Sequence, residues 1–332
     1  MRNYIRGTFF SMLIFLILFL SNACTTATEG LSSLTAGGGS LKLPDTGQTL
    51  SYTDIPGEDS DYTFNPPSYT DNGDGTITDN VTGLIWQKGE SGEMTWESAF
   101  KYCDGLEISG YDDWRLPVSH ELNNIIDAGV THPPLNEVFE SPPDTKYWWS
   151  ATAMYGRATN VWAINYGGGI GNKPKNETIS AGGTQRYHTR CVRNTVLPDN
   201  SVNIRDNGDN TASDIKTGLM WQKTDTGKGV TWADALYYCE GLSLDGYDDW
   251  RLPNLKELRS LSDDNGRANP SIDTSIFSVP STGSSRTKYR YWASSSLEYR
   301  PEDAWYVDFQ YGLSTHAQKT DSSLYARCVR ND

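Results

Sequence analysis

Two blocks of the chain, Asp112-Asp113-Trp114-Arg115 and Asp248-Asp249-Trp250-Arg251, combine paired carboxylates, an indole and a guanidinium, a set that suits sugar hydroxyls. The same residues also suit a turn that buries the tryptophan and pairs the arginine with an aspartate, and that structural role carries more weight. A second set is Asp71, Asp74 and Asp79, repeated as Asp206, Asp209 and Asp214. Their oxygens could supply part of the roughly six to eight ligands that calcium takes, but the spacing is not that of an EF-hand. Asn72-Gly73 and Asp74-Gly75 are hairpin-turn dipeptides, so plain turns are favoured and no cofactor is required. A third set is aromatic: Trp149, Tyr155, Trp162 and Tyr166, with Trp305 and Tyr311, could stack on sugar rings. Most aromatic residues on alternating strands fill a core instead.

Catalysis has little to stand on. His120, His132, His188 and His316 do not recur at matching positions, and they form no cluster with metal-ligand spacing. No nucleophile, base and acid can be read as a triad, so the chain is expected not to be an enzyme.

The first residues set the compartment. Arg2 and Arg6 precede an apolar run from Phe9 to Leu20, followed by small residues and Cys24. Such a run is too short for a membrane span of roughly 20 residues and reads as a secretory leader over residues 1–23. Leu20-Ser21-Asn22-Ala23-Cys24 resembles a bacterial lipobox, which makes Cys24 the lipidated N-terminus of an exported protein. That reading places the protein on the cell envelope, at the outer membrane or cell surface, with the membrane as partner through the lipid. Of the five cysteines, Cys103, Cys191, Cys239 and Cys328 remain, an even set that suits two disulfides in an exported chain. Losing Arg2 and Arg6 with the leader takes the formal charge from −14 to −16, which argues against nucleic acid as a partner.

These side chains are positioned by a domain that occurs twice. Asp71-Asn72-Gly73-Asp74 returns as Asp206-Asn207-Gly208-Asp209, and Thr82-Gly83-Leu84-Ile85-Trp86-Gln87-Lys88 as Thr217-Gly218-Leu219-Met220-Trp221-Gln222-Lys223. Gly110 to Pro117 returns unchanged at Gly246 to Pro253, and Arg190-Cys191-Val192-Arg193-Asn194 as Arg327-Cys328-Val329-Arg330-Asn331. A flexible tether and polar lead-in (24–65) therefore precede a first domain (66–196) and a second (203–332). Each copy opens with a hairpin, followed by a helix capped by Thr95 or Thr231. A second helix follows, marked by Asn254 with Glu257 three residues on. Aromatic strands complete an α+β domain, with Tyr147-Trp148-Trp149-Ser150 answering Tyr291-Trp292-Ala293-Ser294. One cysteine sits on each first helix and one near each last strand. Among three connectivities, pairing within each repeat, Cys103 with Cys191 and Cys239 with Cys328, is the natural choice.

Thr-Gly-Leu-(Ile/Met)-Trp-Gln-Lys, Tyr-Asp-Asp-Trp-Arg-Leu-Pro and Arg-Cys-Val-Arg, in that order, closely resemble the bacterial family named after the C-terminal domain of the Legionella collagen-like adhesin (Lcl). The resemblance covers both repeats. It implies two tandem C-type-lectin-like domains, similar also to formylglycine-generating enzymes, each with two helices packed on short antiparallel strands and long loops. A disulfide from helix to last strand belongs to that fold. The best-understood member is an adhesin for sulfated glycosaminoglycans, a ligand at odds with this chain's acidity. The expected function is binding of an extracellular glycan or protein at the cell surface. The alternatives are a structural envelope module and an oxidase of the formylglycine-generating kind, which would need free thiolates. The copies diverge in length at Thr131–Lys146 against Asn265–Arg290, and at Gly167–Arg186, where specificity could reside. Arg286, Lys288 and Arg290 are expected to be the most basic patch of the second domain.

Overall fold

The computed structural model describes residues 42–143, 145–177, 186–194, 202–264, 270–280 and 287–332. The leader, the tether with Cys24, the link between the repeats at 195–201 and Arg286 lie outside the described residues. No helix among the described residues is long and apolar enough to cross a membrane.

The first repeat opens with β1 (Tyr69–Asp71), β2 (Thr76–Asp79) and β3 (Ile85–Gln87), then α1 (Trp96–Asp104) and α2 (Ser119–Asn124). It continues through β4 (Thr145–Ala153), β5 (Asn160–Asn165), β6 (Ile170–Pro174), β7 (Arg186–His188) and β8 (Val192–Arg193). The second repeat gives β9 (Ile204–Asp206), β10 (Thr211–Asp214), β11 (Leu219–Gln222), α3 (Trp232–Glu240) and α4 (Leu255–Ser260). It ends with β12 (Arg290–Ser296), β13 (Asp303–Asp308), β14 (Leu313–Gln318) and β15 (Val329–Asn331). The chain is thus α+β, with two helices per repeat. Each repeat closes a small antiparallel sheet, β1-β2-β3-β8 or β9-β10-β11-β15. The longer strands form a seven-stranded sheet in the order β12-β13-β14-β6-β5-β4-β7. Not all its pairs are antiparallel, because β7 runs parallel to β4.

Local chemistry explains the helices. The Thr95 hydroxyl accepts from Ser98 N, and Thr231 does the same for Asp234 N. Asn254 and Glu257 form a full capping box, with both bonds at 2.9 Å. In the first repeat Val118 replaces the asparagine, so only Glu121 reaches back, to Val118 N at 3.0 Å. Trp114, Leu116, Trp250 and Leu252 are buried, as the turn reading requires. The arginines of that block do not pair with aspartate, however: Arg115 makes a bidentate bridge to Glu121, and Arg251 to Glu257. Each glutamate lies six residues on, at the start of the following helix. Asp113 and Asp249 bind Arg193 and Arg330 instead.

The bridges Cys103–Cys191 and Cys239–Cys328 tie the first helix of each repeat to its end. Closing loops of this length is worth up to about 4.6 kcal/mol each in the chain-entropy account. Reduction is therefore expected to lower the urea midpoint by the equivalent of about 2–5 kcal/mol per bridge. An unchanged midpoint in dithiothreitol would contradict a stabilising role.

Hydrogen bonds fix the alignment of the copies. Trp149 Nε1 donates to Met94 O, and Trp292 Nε1 to Val230 O; Trp148 reaches Glu90 as Tyr291 reaches Asp225. Trp149 therefore corresponds to Trp292, and Trp148 to Tyr291. The expected match of Tyr147-Trp148-Trp149-Ser150 to Tyr291-Trp292-Ala293-Ser294 is off by one residue. On a strand that shift exchanges the two faces.

The repeats are not separate bodies. β6 and β14 occupy the same place in each copy and pair antiparallel at Ile170 and Ser314, themselves equivalent positions. Equivalent helices α2 and α4 also pack together. Like elements meeting at like residues is the arrangement of a two-fold pair. The junction is polar: Asp264 is buried and accepts from Arg259 at 2.6 Å and from Ser119, while His120 Nε2 lies 3.1 Å from Ser262 O. Burial acts to raise the Asp264 carboxyl, but Arg259 and His120 outweigh it and hold the group below its usual range.

The lead-in is also part of the fold, and it packs on the second repeat rather than only introducing the first. Asp45 accepts from Asn254, the Gln48 amide exchanges two bonds with the backbone of Ser296, and buried Asp59 accepts from Ser295. Tyr62 and Phe64 place their rings over the Arg251 guanidinium, at 5.6 and 4.7 Å.

Candidate functional site

The six aspartates read as possible calcium ligands are turn formers. Asp71 and Asp206 accept from the amides of Gly73 and Gly208, and each bridges a lysine at 2.8 Å, Lys88 or Lys223. Asp74 and Asp209 accept from Thr76 and Thr211, while Asp79 and Asp214 cap the turns that follow them. Their oxygens point into their own loops, and no three metal-binding side chains converge among the described residues.

Of the aromatic candidates, Trp149, Trp162 and Trp305 are core residues. Tyr155 and Tyr311 are exposed, on separate loops. Tyr166 is half-buried against Trp148, and its ring meets His132 at 5.3 Å, which in turn meets Tyr299 of the second repeat at 5.4 Å. His132 lies in the Thr131–Lys146 stretch where the copies diverge, but its meeting with Tyr299 was not foreseen, because nothing local marks two loops of different repeats as neighbours. In the expected basic patch, Arg290 donates to Asp308 at 3.1 Å and Lys288 lies over Tyr289. Both cations thus have local partners.

The concavity with the richest chemistry lies on the junction. It is a cavity of about 180 Å³ bordered by Leu43 of the lead-in, by Thr82, His120 and Asn124 of the first repeat, and by Thr217, Lys256 and Ser260 of the second. Thr82 corresponds to Thr217, His120 to Lys256 and Asn124 to Ser260, so equivalent residues face each other across the two-fold. Asn123 adds an amide, and Asp214, its carboxylate turned to Lys216 N and Thr217 N, borders the cavity as well. The volume is below the roughly 300–1,000 Å³ of drug-sized sites and suits one small polar group, such as a sugar ring.

The two threonines differ in a way that matters. The Thr82 hydroxyl donates to Asp79 at 2.6 Å, whereas the buried Thr217 oxygen has no partner among the described residues. The Thr217 hydroxyl therefore keeps its hydrogen-bonding capacity for a water or a bound group. Lys256 Nζ is held by the carbonyls of Asp45 and Asn124, both at 2.8 Å. Burial pulls its pKa down to about 8, against the opposing pull of Asp127 and Asp45. Burial likewise lowers the His120 imidazole, opposed by Asp264. Its Nε2 is taken by the Ser262 carbonyl, so the ring keeps only Nδ1 for a ligand.

The Lcl C-terminal domain model matches residues 75–193 and 210–330, most of the chain. The chain belongs to the Lcl C-terminal domain family. A search of curated proteins finds no match. Both Lcl C-terminal domains contain the bidentate Arg–Glu pair, the disulfide and the buried arginine before the second cysteine, so these are shared framework. The cavity belongs to the pair, since each domain supplies only half of it. Its residues escaped the sequence reading because Thr82, Thr217 and Lys256 look like ordinary turn and helix positions.

Proposed function

We propose that this chain is a lipid-anchored protein of the bacterial envelope, fixed through Cys24 and exported to the outer membrane or cell surface. Its tandem domains, lectin-like in fold, act there as an adhesin or ligand-binding module. The ligand class is a glycan, or a protein bearing one, with a single sugar unit seated in the junction cavity. The observation that carries this reading is the buried Thr217 hydroxyl, without a partner among the described residues, in a cavity where amides and hydroxyls of both repeats are set in a mainly apolar wall with Leu43, Leu84 and Val202. Sugar hydroxyls supply both donors and acceptors to such a lining. Two disulfides suit an exported chain. Oxidase chemistry would need free thiolates, and the four cysteines of the two domains are all bonded in pairs.

The test is a glycan array probed with the intact protein and with Thr217→Val, which keeps the side-chain shape. The variant is expected to melt like the parent and to bind about tenfold more weakly, the loss of one hydrogen bond worth about 1.4 kcal/mol. Equal binding by the two proteins would remove the cavity from the account.

A further inference from the structure

The duplicated architecture contains one groove twice, and the described part of the lead-in, residues 42–65, fills only one of them. On the second repeat the groove runs between α3 and the end of β12. Ile55 packs there against the cluster that includes Trp232 and Leu236, the Ser295 hydroxyl donates to Asp59, and the Tyr62 hydroxyl donates to Glu240 at 2.8 Å. Lys319 Nζ stands 3.9 Å over Trp232 and 5.8 Å from the ring of Tyr52.

Each of these partners has a counterpart on the first repeat, between α1 and the end of β4. Trp96 bonds to Ser150 O as Trp232 bonds to Ala293 O. Lys175 Nζ stands 4.3 Å over Trp96, in the place of Lys319. The Thr152 hydroxyl accepts from Ser119 N as Ser295 accepts from Leu255 N, and Asp104 stands where Glu240 does. The difference is cover. Phe100 is 39% exposed where its counterpart Leu236 is 0%, Ala153 is exposed where Ser296 is 0%, and the Arg115 side chain is 21% exposed against 5% for Arg251.

We propose that the groove of the first repeat docks an extended acidic polypeptide segment of a partner protein, bound as the lead-in is bound to the second repeat. The lead-in shows the chemistry that fits. Residues 45–65 carry five carboxylates and no basic side chain, with an aliphatic residue for the helix face and aromatic rings for the arginine. Lys175 on the open groove complements that charge. Arg115, bridged to Glu121, offers its guanidinium face to an aromatic ring as Arg251 does to Tyr62 and Phe64, and Thr152 stands where Ser295 bonds a buried carboxyl on the other repeat. Added segments of this type gain specificity from backbone and side-chain pockets together.

The probe is a synthetic peptide of residues 43–65, titrated onto the intact protein and followed by calorimetry. One peptide per chain is expected, with binding weakened at least tenfold by Phe100→Asp and, separately, by Lys175→Glu. Tyr237→Asp, on the exposed face of α3, is expected to leave it unchanged. No saturable binding, or binding indifferent to both first-repeat changes, would overturn the proposal. So would binding that strips hydrogen-exchange protection from the protein's own residues 46–59, which would mean displacement on the second repeat. Self-association of the protein without peptide, abolished by Phe100→Asp, would overturn the assignment to a foreign partner by naming a second copy as occupant.

Discussion

Replacing Arg327 by methionine is expected to destabilise the protein by about 3–5 kcal/mol, the range for removing one partner of a buried charge network. Arg327 is fully buried and gathers the chain ends of the second repeat. Its guanidinium donates to the carbonyls of Gln222, Lys223 and Thr224 at 2.5–3.0 Å and to Ser278 O at 2.6 Å. Phe277 and Tyr291 flank it, with ring centroids at 4.8 and 5.4 Å. Methionine would fill much of the volume and take a donor from four carbonyls, of which Lys223 O keeps its bond from Ser278 N at 2.9 Å; each carbonyl left unpaired costs about 1–3 kcal/mol if water cannot reach it. Arg190 holds the same place in the first repeat, donating to Gln87, Lys88, Gly89 and Glu140 carbonyls. The comparison is Arg330→Met, three residues on, whose bridge to half-exposed Asp249 is worth under about 1 kcal/mol. Urea midpoints separate the two. Equal losses for Arg327→Met and Arg330→Met would contradict the role given to the buried arginine.

The second large effect is a dependence on pH that resides in the lead-in. Asp59 is buried between Thr46, whose hydroxyl donates at 2.7 Å, and Ser295. Burial, with the Asp45 carboxylate adding to it, pushes the carboxyl from 3.8 up to about 7. Between those values the folded chain keeps a proton that the unfolded chain has released. Stability from this group is therefore complete below about pH 4, falls as pH rises to about 7, and is level above. The span corresponds to roughly 4 kcal/mol. Asp59→Asn keeps an uncharged acceptor for both hydroxyls. The variant is expected to lose most of the slope, what remains coming from Asp45 and Asp127, whose carboxyls burial also raises, and to match the parent near pH 4 and exceed it by a few kcal/mol at pH 8. Lys256, held at about 8, acts with the opposite sign only above that pH. Parallel stability curves for parent and variant between pH 4 and 8 would contradict an uncharged Asp59.

Short-range chemistry was legible in the sequence, and long-range pairing was not. The caps at Thr95 and Thr231, the Asn254–Glu257 box, the hairpin aspartates and the two disulfides follow from residues close together or from the duplication itself. The partners of Arg115 and Arg251 were misread because the neighbouring aspartates are closer in sequence, and a glutamate that caps the following helix gives no local sign that it also faces the arginine six residues back. The one-residue slip at Trp148 arose because Tyr, Trp and Ser occur in both frames, and only the indole hydrogen bonds choose between them. The joined sheet rests on pairing at Ile170 and Ser314, positions with no distinctive composition. The lead-in looked irregular because its order comes from side chains of the second repeat roughly 200 residues away rather than from its own periodicity.

The central claim is that ligand is held at the junction of the two domains, by groups from both. Backbone chemical-shift mapping of the intact protein, titrated with the tightest-binding saccharide from the array, tests it most directly. Shifts are expected at residues 120–124 of the first repeat together with 214–217 and 256 of the second, saturating along one curve. Shifts confined to the exposed tyrosines Tyr155 and Tyr311, or to one repeat alone, would contradict it.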